Sequence, residues 1–428
     1  MPSNQNLNYA IIGGGIAGLT LAIALHHCGV SVKIYEQASR FGEIGAGVSF
    51  TPNAVQAMKL CHTGVHEAFE KVCTRNLWPS KQQVWFDYYD GQTKTVDPIS
   101  QKPAFSISNN VGQNGVHRAH FLDELVKLVP SDLACFGKRL NTFERNDGGD
   151  YTLFFADGST AKADAILACD GIKSKVRQCL FGADHPCAPP SYTHKYAYRA
   201  LVPMDDAVAS IGKEKAQNAG MHMGKGGHVL TFPVNHGQTL NVVAFHTTSN
   251  DWLDHSKLTA PATRQDALKD FADFGPTVTS LLQLAKPDLD TASFLPIPCF
   301  HRADQVVNSG PFSTWGKARH LPSPKAACAS SATLHTRRRR TTEPAPEFGH
   351  SEIERALEVY DAVRRERGES LVQSSRRIGD TYEWMADGIG ADFAKIEAEI
   401  NHRNGVIANV NVGEMCETAQ ADLAKRCA

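Results

Sequence analysis

The chain of 428 residues is long enough for two domains and a large buried core. With 42% apolar and 21% charged residues it has the composition of an ordinary globular protein. Its 44 basic residues against 45 acidic ones leave no net field that selects nucleic acid or an anionic membrane, so a small-molecule ligand is expected. Ahead of Tyr9 there is no basic leader and the apolar run that follows is broken by glycines, so neither a secretory signal nor a membrane span is expected. The 11 cysteines include no Cys-x-x-Cys pair, which suits reduced thiols and a cytoplasmic location rather than a disulfide frame or zinc site.

Asn8 to Glu36 reads as a strand, a glycine turn Gly13-x-Gly15-x-x-Gly18, a helix to His27, and a second strand closed by an acid. The glycine spacing alone is a weak signal, because glycines cluster in many turns that hold no ligand. Strand before, helix after and acid at the end of the next strand supply the context of a dinucleotide fingerprint. Gly13 permits the tight turn, Gly15 lets backbone amides approach a pyrophosphate, and Gly18 lets helix and strand pack closely. Glu36 then reaches the adenosine ribose hydroxyls.

Gly45-Ala46-Gly47 forms a second glycine-rich loop, able to approach a flat ring system, before a helix announced by Thr51 and Pro52. Arg118 begins another helix, with Phe121, Leu122 and Leu125 as its apolar positions. His117 and His120 have metal-pair spacing but no third ligand, and are read as ordinary hydrogen-bonding histidines. A strand over Ala165–Ala168 runs into Asp170-Gly171 and a helix containing Arg177. Alternating apolar segments between Tyr196 and His246 predict antiparallel strands of a second domain. From Ser351, with Glu354 completing a capping box, Ile353, Leu357, Tyr360 and Val363 have helical spacing.

The fingerprint with Glu36, Arg118 in its helix, and Asp170-Gly171 with Arg177 together resemble the single-component FAD-dependent aromatic monooxygenases, most closely the salicylate hydroxylase type. The likeness spans Asn8 to about Gly316 and resumes at Ser351. It implies an α/β protein: a Rossmann-like FAD-binding domain, a mixed and largely antiparallel substrate-covering sheet, and a helical C-terminal region. The expected divisions are 1–185 for the first part of the FAD domain, 186–295 for the sheet domain, 296–350 for the return to the FAD domain, and 351–428 for the C-terminal helices. It also implies FAD as cofactor, NADPH or NADH as co-substrate, and O2 adding at the flavin C4a. The resulting C4a-hydroperoxyflavin then transfers oxygen to a phenolic, salicylate-like ring. Arg118, Asp170 and Gly171 are flavin-binding by this resemblance.

The family's third motif, Gly-Asp-Ala-Ala-His with a following glycine run, is absent in the frame as written. Reading codons across residue boundaries from Ser330, the message is compatible with Ile-Gly-Asp-Ala-Ala-His-Ala, and the pairs from Thr342 to Glu347 with Gly-Ala-Gly-Ala-Gly. The stretch 318–350 therefore reads as that motif translated out of frame. The competing reading of Arg337 to Arg340 as a basic localisation or nucleic-acid patch is weaker. Arg199, in a strand Tyr-x-Arg, suits a substrate phenolate or carboxylate, or else a structural ion pair. His222, His228 and His246 share the sheet with it, and His246 is the candidate proton shuttle. The alternatives are a non-catalytic flavin-fold remnant and another flavin oxidoreductase.

Overall fold

The computed structural model describes residues 7–42, 47–185, 188, 192–252, 254, 259–289 and 350–427. Gly45, Ala46 and all but the last residue of the stretch 318–350 lie outside these described residues.

The first third begins with β1 (Asn8–Ile12), α1 (Ile16–His27) and β2 (Ser31–Tyr35), followed by β3 (Gly47–Ser49), α2 (Pro52–Cys61), α3 (Thr63–Val72) and β4 (Thr74–Arg75). Next come β5 (Val84–Asp90), β6 (Phe105–Ser108), β7 (Asn114–His117), α4 (Arg118–Val126), β8 (Ala134–Cys135), β9 (Leu140–Arg145), β10 (Tyr151–Phe155), β11 (Thr160–Ala163), β12 (Ala165–Ala168) and α5 (Lys175–Phe181). Strands β12-β1-β2-β8 form a parallel sheet in that order. The central β1 is buried through Ala10, Ile11 and Ile12, as expected of a strand covered on both faces. The helix α1 is apolar nearly all round and buries seven of its residues, Gly18 through Leu25 with the exception of Thr20, so it sits inside the domain rather than on it. Thr51 and Pro52 start α2 as expected, and Phe121, Leu122 and Leu125 of α4 are core residues.

The chain continues through β13 (Lys195–Pro203), α6 (Met204–Ile211), α7 (Lys213–Ala216), β14 (Gly220–Gly224), β15 (Gly227–Val234), β16 (Thr239–Thr247), α8 (Arg264–Asp270) and α9 (Pro276–Gln283). It closes with α10 (His350–Tyr382), α11 (Phe393–Ala408) and α12 (Val412–Cys427). The large sheet has the order β13-β16-β15-β14-β5-β6, parallel only between β14 and β5. This corrects the expected division at residue 186: β5 and β6 belong to the sheet that was assigned to 186–295. Gly220 pairs with Asp87 across so many residues that no local pattern announces it.

Register fixes what each face carries, because side chains alternate along a strand. Arg199, Val243 and Leu230 lie in one row, with Asn241 and Phe232 in the next, on the face we call the front. Tyr196, Tyr198, His222 and His246 lie on the back. The back is sealed by α6, α8 and α9 through Phe271, Phe274, Val278 and Leu281. On the front, the C-terminal region lays Tyr382, Trp384, Phe393, Ile396 and Ile400 over Phe86, Tyr88, Phe105 and Met221.

A buried ion cluster ties that cover down. Glu383, with no solvent exposure, accepts from Lys195 Nζ (2.7 Å) and Thr247 Oγ1 (2.5 Å), and pairs with His228 Nδ1 (3.1 Å). Lys195 also donates to Asp380 at 2.9 Å. Among the described residues no helix is long and apolar enough to cross a membrane.

Candidate active site

At the C-terminal edge of the parallel sheet the fingerprint has the geometry its glycines require. Gly13 has φ +101°, and a Cβ there would stand 2.5 Å from the Cys169 carbonyl oxygen. A Cβ on Gly18 would stand 2.0 Å from Gly13 O, so the β1–α1 crossing tolerates only glycine. Gly15 differs: nothing lies within 4 Å of its Cβ position, which leaves the N-terminus of α1 open on that side. Glu36 closes the turn from β2, its carboxylate accepting from Gly14 N (2.6 Å) and Ala38 N (2.8 Å). Asp170 sits across the same edge and accepts from Lys175 N (2.7 Å) and Val176 N (3.0 Å) at the start of α5. Gly171 beside it has φ +77°. Arg177 is held by the Ala188 and Ile172 carbonyls.

From this edge a small antiparallel ribbon, β3-β7-β4, reaches the front of the large sheet. Gly47 N donates to Asn241 Oδ1 at 3.1 Å. A Cβ on Gly47 would lie 2.6 Å from Asn241 Cγ, and one on Gly115 would lie 2.6 Å from the Phe232 ring, so glycine is what lets the ribbon seat on the sheet. His117 pairs with Gly47, and Arg118 follows it at the head of α4. The charge of Arg118 is felt at Arg199: burial, and then this like charge, lower the Arg199 guanidinium from its ordinary value.

Around this junction, polar atoms are left over. Arg199 Nε, Asn241 Nδ2, Gln113 Oε1 and His117 Nδ1 are buried and have no hydrogen-bond partner among the described residues. A native fold leaves few such atoms, and each unsatisfied buried group costs about 1–3 kcal/mol. Four of the nine such atoms among the described residues lie at or beside this junction, close to two guanidinium groups, which makes it a candidate site for an anionic ligand. The residues present fit FAD at its adenosine end: an open helix N-terminus for pyrophosphate and an acid at the ribose position.

The structure brings Gly13, Gly15, Gly18, Glu36, Asp170 and Gly171 to one sheet edge, and Gly47, Arg118 and Arg199 to the ribbon junction. Gly45 and Ala46 immediately precede β3 but are outside the described residues. His246 is not brought to Arg199. Arg199 pairs with Val243, three residues from His246, and the odd separation puts the two on opposite faces. The His246 ring lies against Tyr196 (5.4 Å) and Phe271 (5.9 Å) on the back, so the strand register gives no support to its expected role as proton shuttle beside Arg199. His222 is also on the back, stacked on Tyr89 at 4.9 Å, and burial, helped by Lys215, lowers its pKa to about 3. His228 faces front but is held by Glu383. Reasoning from sequence overlooked Asn241, Gln113 and Glu383. Gln113 carried a usable signal, standing directly before the β7 strand that leads into Arg118.

The model of an NAD(P)-binding Rossmann-like domain matches residues 11–91. The FAD-dependent monooxygenase pigN of Monascus ruber is 41% identical over 431 residues, covering 98% of this chain and 97% of the relative. The 6-methylsalicylate 1-monooxygenase atA of Aspergillus terreus is 39% identical over 389 residues, covering 88% and 83%. Among solved structures, a salicylate hydroxylase substrate complex superposes with a TM-score of 0.76 at 30% identity, covering 97% of this chain and 98% of that one. With near-full-length identity to named enzymes and a site that fits the adenosine end of FAD, the chain belongs to the FAD-dependent monooxygenases, the family that includes the salicylate hydroxylases.

Proposed function

We propose that the protein hydroxylates a phenolic or salicylate-like aromatic, consuming NADPH or NADH and O2. The observation that carries this reading is Arg199: a half-buried guanidinium on the front face, repelled by Arg118, whose Nε has no partner and which has no paired carboxylate among the described residues. A phenolate or ring carboxylate supplies that charge, and the planar donor array of arginine matches it. FAD, when bound, supplies the two-electron redox chemistry and oxygen activation that no side chain performs. The Gly13–Gly18 turn and α1 would hold its pyrophosphate, with Glu36 at the adenosine ribose and Arg118 and Asp170 as further contacts. Arg199 orients the ring and keeps its oxygen ionised. Phe232, Leu230 and Val243 beside it, with the C-terminal helices beyond, keep water from the reacting atoms.

The stretch 318–350 belongs to this proposal as the third FAD motif read out of frame. The test is to sequence the transcript over codons 316–351, and to compare the chain as written with one carrying the shifted frame. The restored chain is expected to bind FAD more tightly by at least about tenfold, since each charge-assisted hydrogen bond contributes about 1.5–3 kcal/mol. It should also form a hydroxylated product from salicylate-type phenols. Equal FAD affinity in the two chains overturns the frame reading. A restored chain that binds FAD but hydroxylates no phenol overturns the substrate class.

A further inference from the structure

We infer that Glu383 is a positioning residue for the hydroxylation: it fixes the C-terminal cover in register with the strands that carry Arg199, and its release diverts the reducing equivalents of NAD(P)H to hydrogen peroxide. This rests on the FAD- and NAD(P)H-dependent reading above. The partners of the Glu383 carboxylate come from three strands: Lys195 Nζ (2.7 Å) on β13, His228 Nδ1 (3.1 Å) on β15 and Thr247 Oγ1 (2.5 Å) on β16. Arg199 lies four residues from Lys195, Val243 four from Thr247, and Leu230 two from His228. These even separations put the anchor and the Arg199 row on the front face of the same three strands. The backbone adds a further tie, Gly226 N donating to Glu383 O at 3.1 Å.

The chain around Glu383 is shaped to hold it there. Met385 N donates to Asp380 O (2.8 Å) and Trp384 N to Thr381 O (3.3 Å), the paired bonds of a Schellman stop at the end of α10. Such a stop needs a left-handed residue, usually glycine, and here Trp384 takes that place with φ +55°. A side chain is strained in that conformation, so the indole is kept for what it packs against. Tyr382, Trp384 and Phe393 share one apolar cluster with Leu230 and Met221, which pair with each other in the Arg199 row. The Tyr382 ring stands 5.3 Å from His228 and 6.0 Å from Tyr88. A buried ion cluster is a weak source of stability, because desolvation offsets much of its attraction, but its fixed distances select one placement of the cover over others. Each turnover consumes NAD(P)H, a proton and O2. Hydroxylation places one oxygen atom in the ring and releases the other as water; when transfer fails, both leave together as hydrogen peroxide. A displaced cover admits water and favours the second outcome.

The experiment compares wild type, Glu383→Gln, the milder Thr247→Val and, as a control destabilised from the back of the sheet, Asp270→Asn, each in the frame-restored chain loaded with FAD. Glu383→Gln keeps the volume but offers an uncharged group that cannot satisfy Lys195 and His228 together. Hydroxylated product and hydrogen peroxide are counted per NAD(P)H oxidised with salicylate as substrate. Amide hydrogen exchange across 378–396 and the thermal midpoint are read on the FAD-free chain as written. The expected result is product per NAD(P)H lowered at least about twofold in Glu383→Gln and by less in Thr247→Val, hydrogen peroxide making up the difference, with coupling in Asp270→Asn as in wild type. Exchange across 378–396 should quicken at least about tenfold in Glu383→Gln while β13 and β16 exchange as in wild type. Unchanged coupling in Glu383→Gln, or coupling that falls in Asp270→Asn in step with its midpoint, makes Glu383 structural only and overturns the assignment. Unchanged exchange shows that the cover is held without Glu383 and overturns it as well. A wild-type holoenzyme that gives no hydroxylated product overturns the functional reading itself, and the assignment with it.

Discussion

The two faces of the large sheet are made by the same strands, residue by alternate residue, yet they differ in the polar groups they hold. On the back, the hydroxyls of Tyr196 and Tyr198 both donate to Asp270 at 2.5 Å, and His246 lies between aromatic rings. On the front, Arg199 Nε and Asn241 Nδ2 are buried without partners. Packing accounts for the tyrosine hydroxyls of the back, where His222 Nδ1 is also without a partner among the described residues, and leaves a guanidinium and an amide unpaired on the front. The front is the face that places a positive charge beside its unpaired donors, and that charge is what an anionic ligand would meet.

Breaking this contrast should have its largest effect at Arg199. Arg199→Gln is expected to lower kcat/KM for a phenolic substrate by about 10²-fold or more, as loss of a buried charge partner costs about 2–5 kcal/mol. His246→Phe should stay within a few-fold of wild type in the same steady-state assay. Next is the cluster that holds the front cover. Glu383→Ala strands His228, leaves Lys195 with Asp380 alone, and should cost about 3–5 kcal/mol in urea unfolding.

The same carboxylate predicts a pH dependence. Burial raises the Glu383 pKa, but the hydrogen bond and charge of His228 and the charge of Lys195 outweigh it and hold it at about 2. Because that lies below the value of about 4.3 for a free glutamate, the contribution is complete above that pH and is lost as pH falls toward 2. The urea midpoint of wild type should therefore drop between pH 5 and 2.5 by more than that of Glu383→Gln; parallel curves would contradict the cluster's role. The smallest effect is reserved for the back: Asp270→Asn should cost about 1–3 kcal/mol in stability through its two tyrosine partners, with KM for substrate unchanged.

Legibility in the sequence followed distance along the chain. The fingerprint, its closing Glu36, the Thr51-Pro52 helix start and the strands β13, β15 and β16 are local patterns, and each stands where its residues pointed. The incorporation of β5 and β6 depends on a parallel pairing between Asp87 and Gly220, which alternation within either strand does not encode. Arg199 and His246 looked equivalent because both lie in apolar strands. Only the pairing of Arg199 with Val243 reveals the odd offset that separates them. Asn241 carried no signal, since a lone amide in an apolar strand acquires meaning only when Gly47, 194 residues away, donates to it. Glu383 was hidden for the same reason, its partners lying on β13, β15 and β16.

The most direct measurement is product formation from a salicylate-type phenol by the frame-restored chain with FAD and NAD(P)H, run side by side for wild type, Arg199→Gln and His246→Phe. Hydroxylated product from wild type and His246→Phe, with almost none from Arg199→Gln, is the predicted result. Product lost on changing His246 and retained on changing Arg199 would place the chemistry on the back of the sheet and contradict the account.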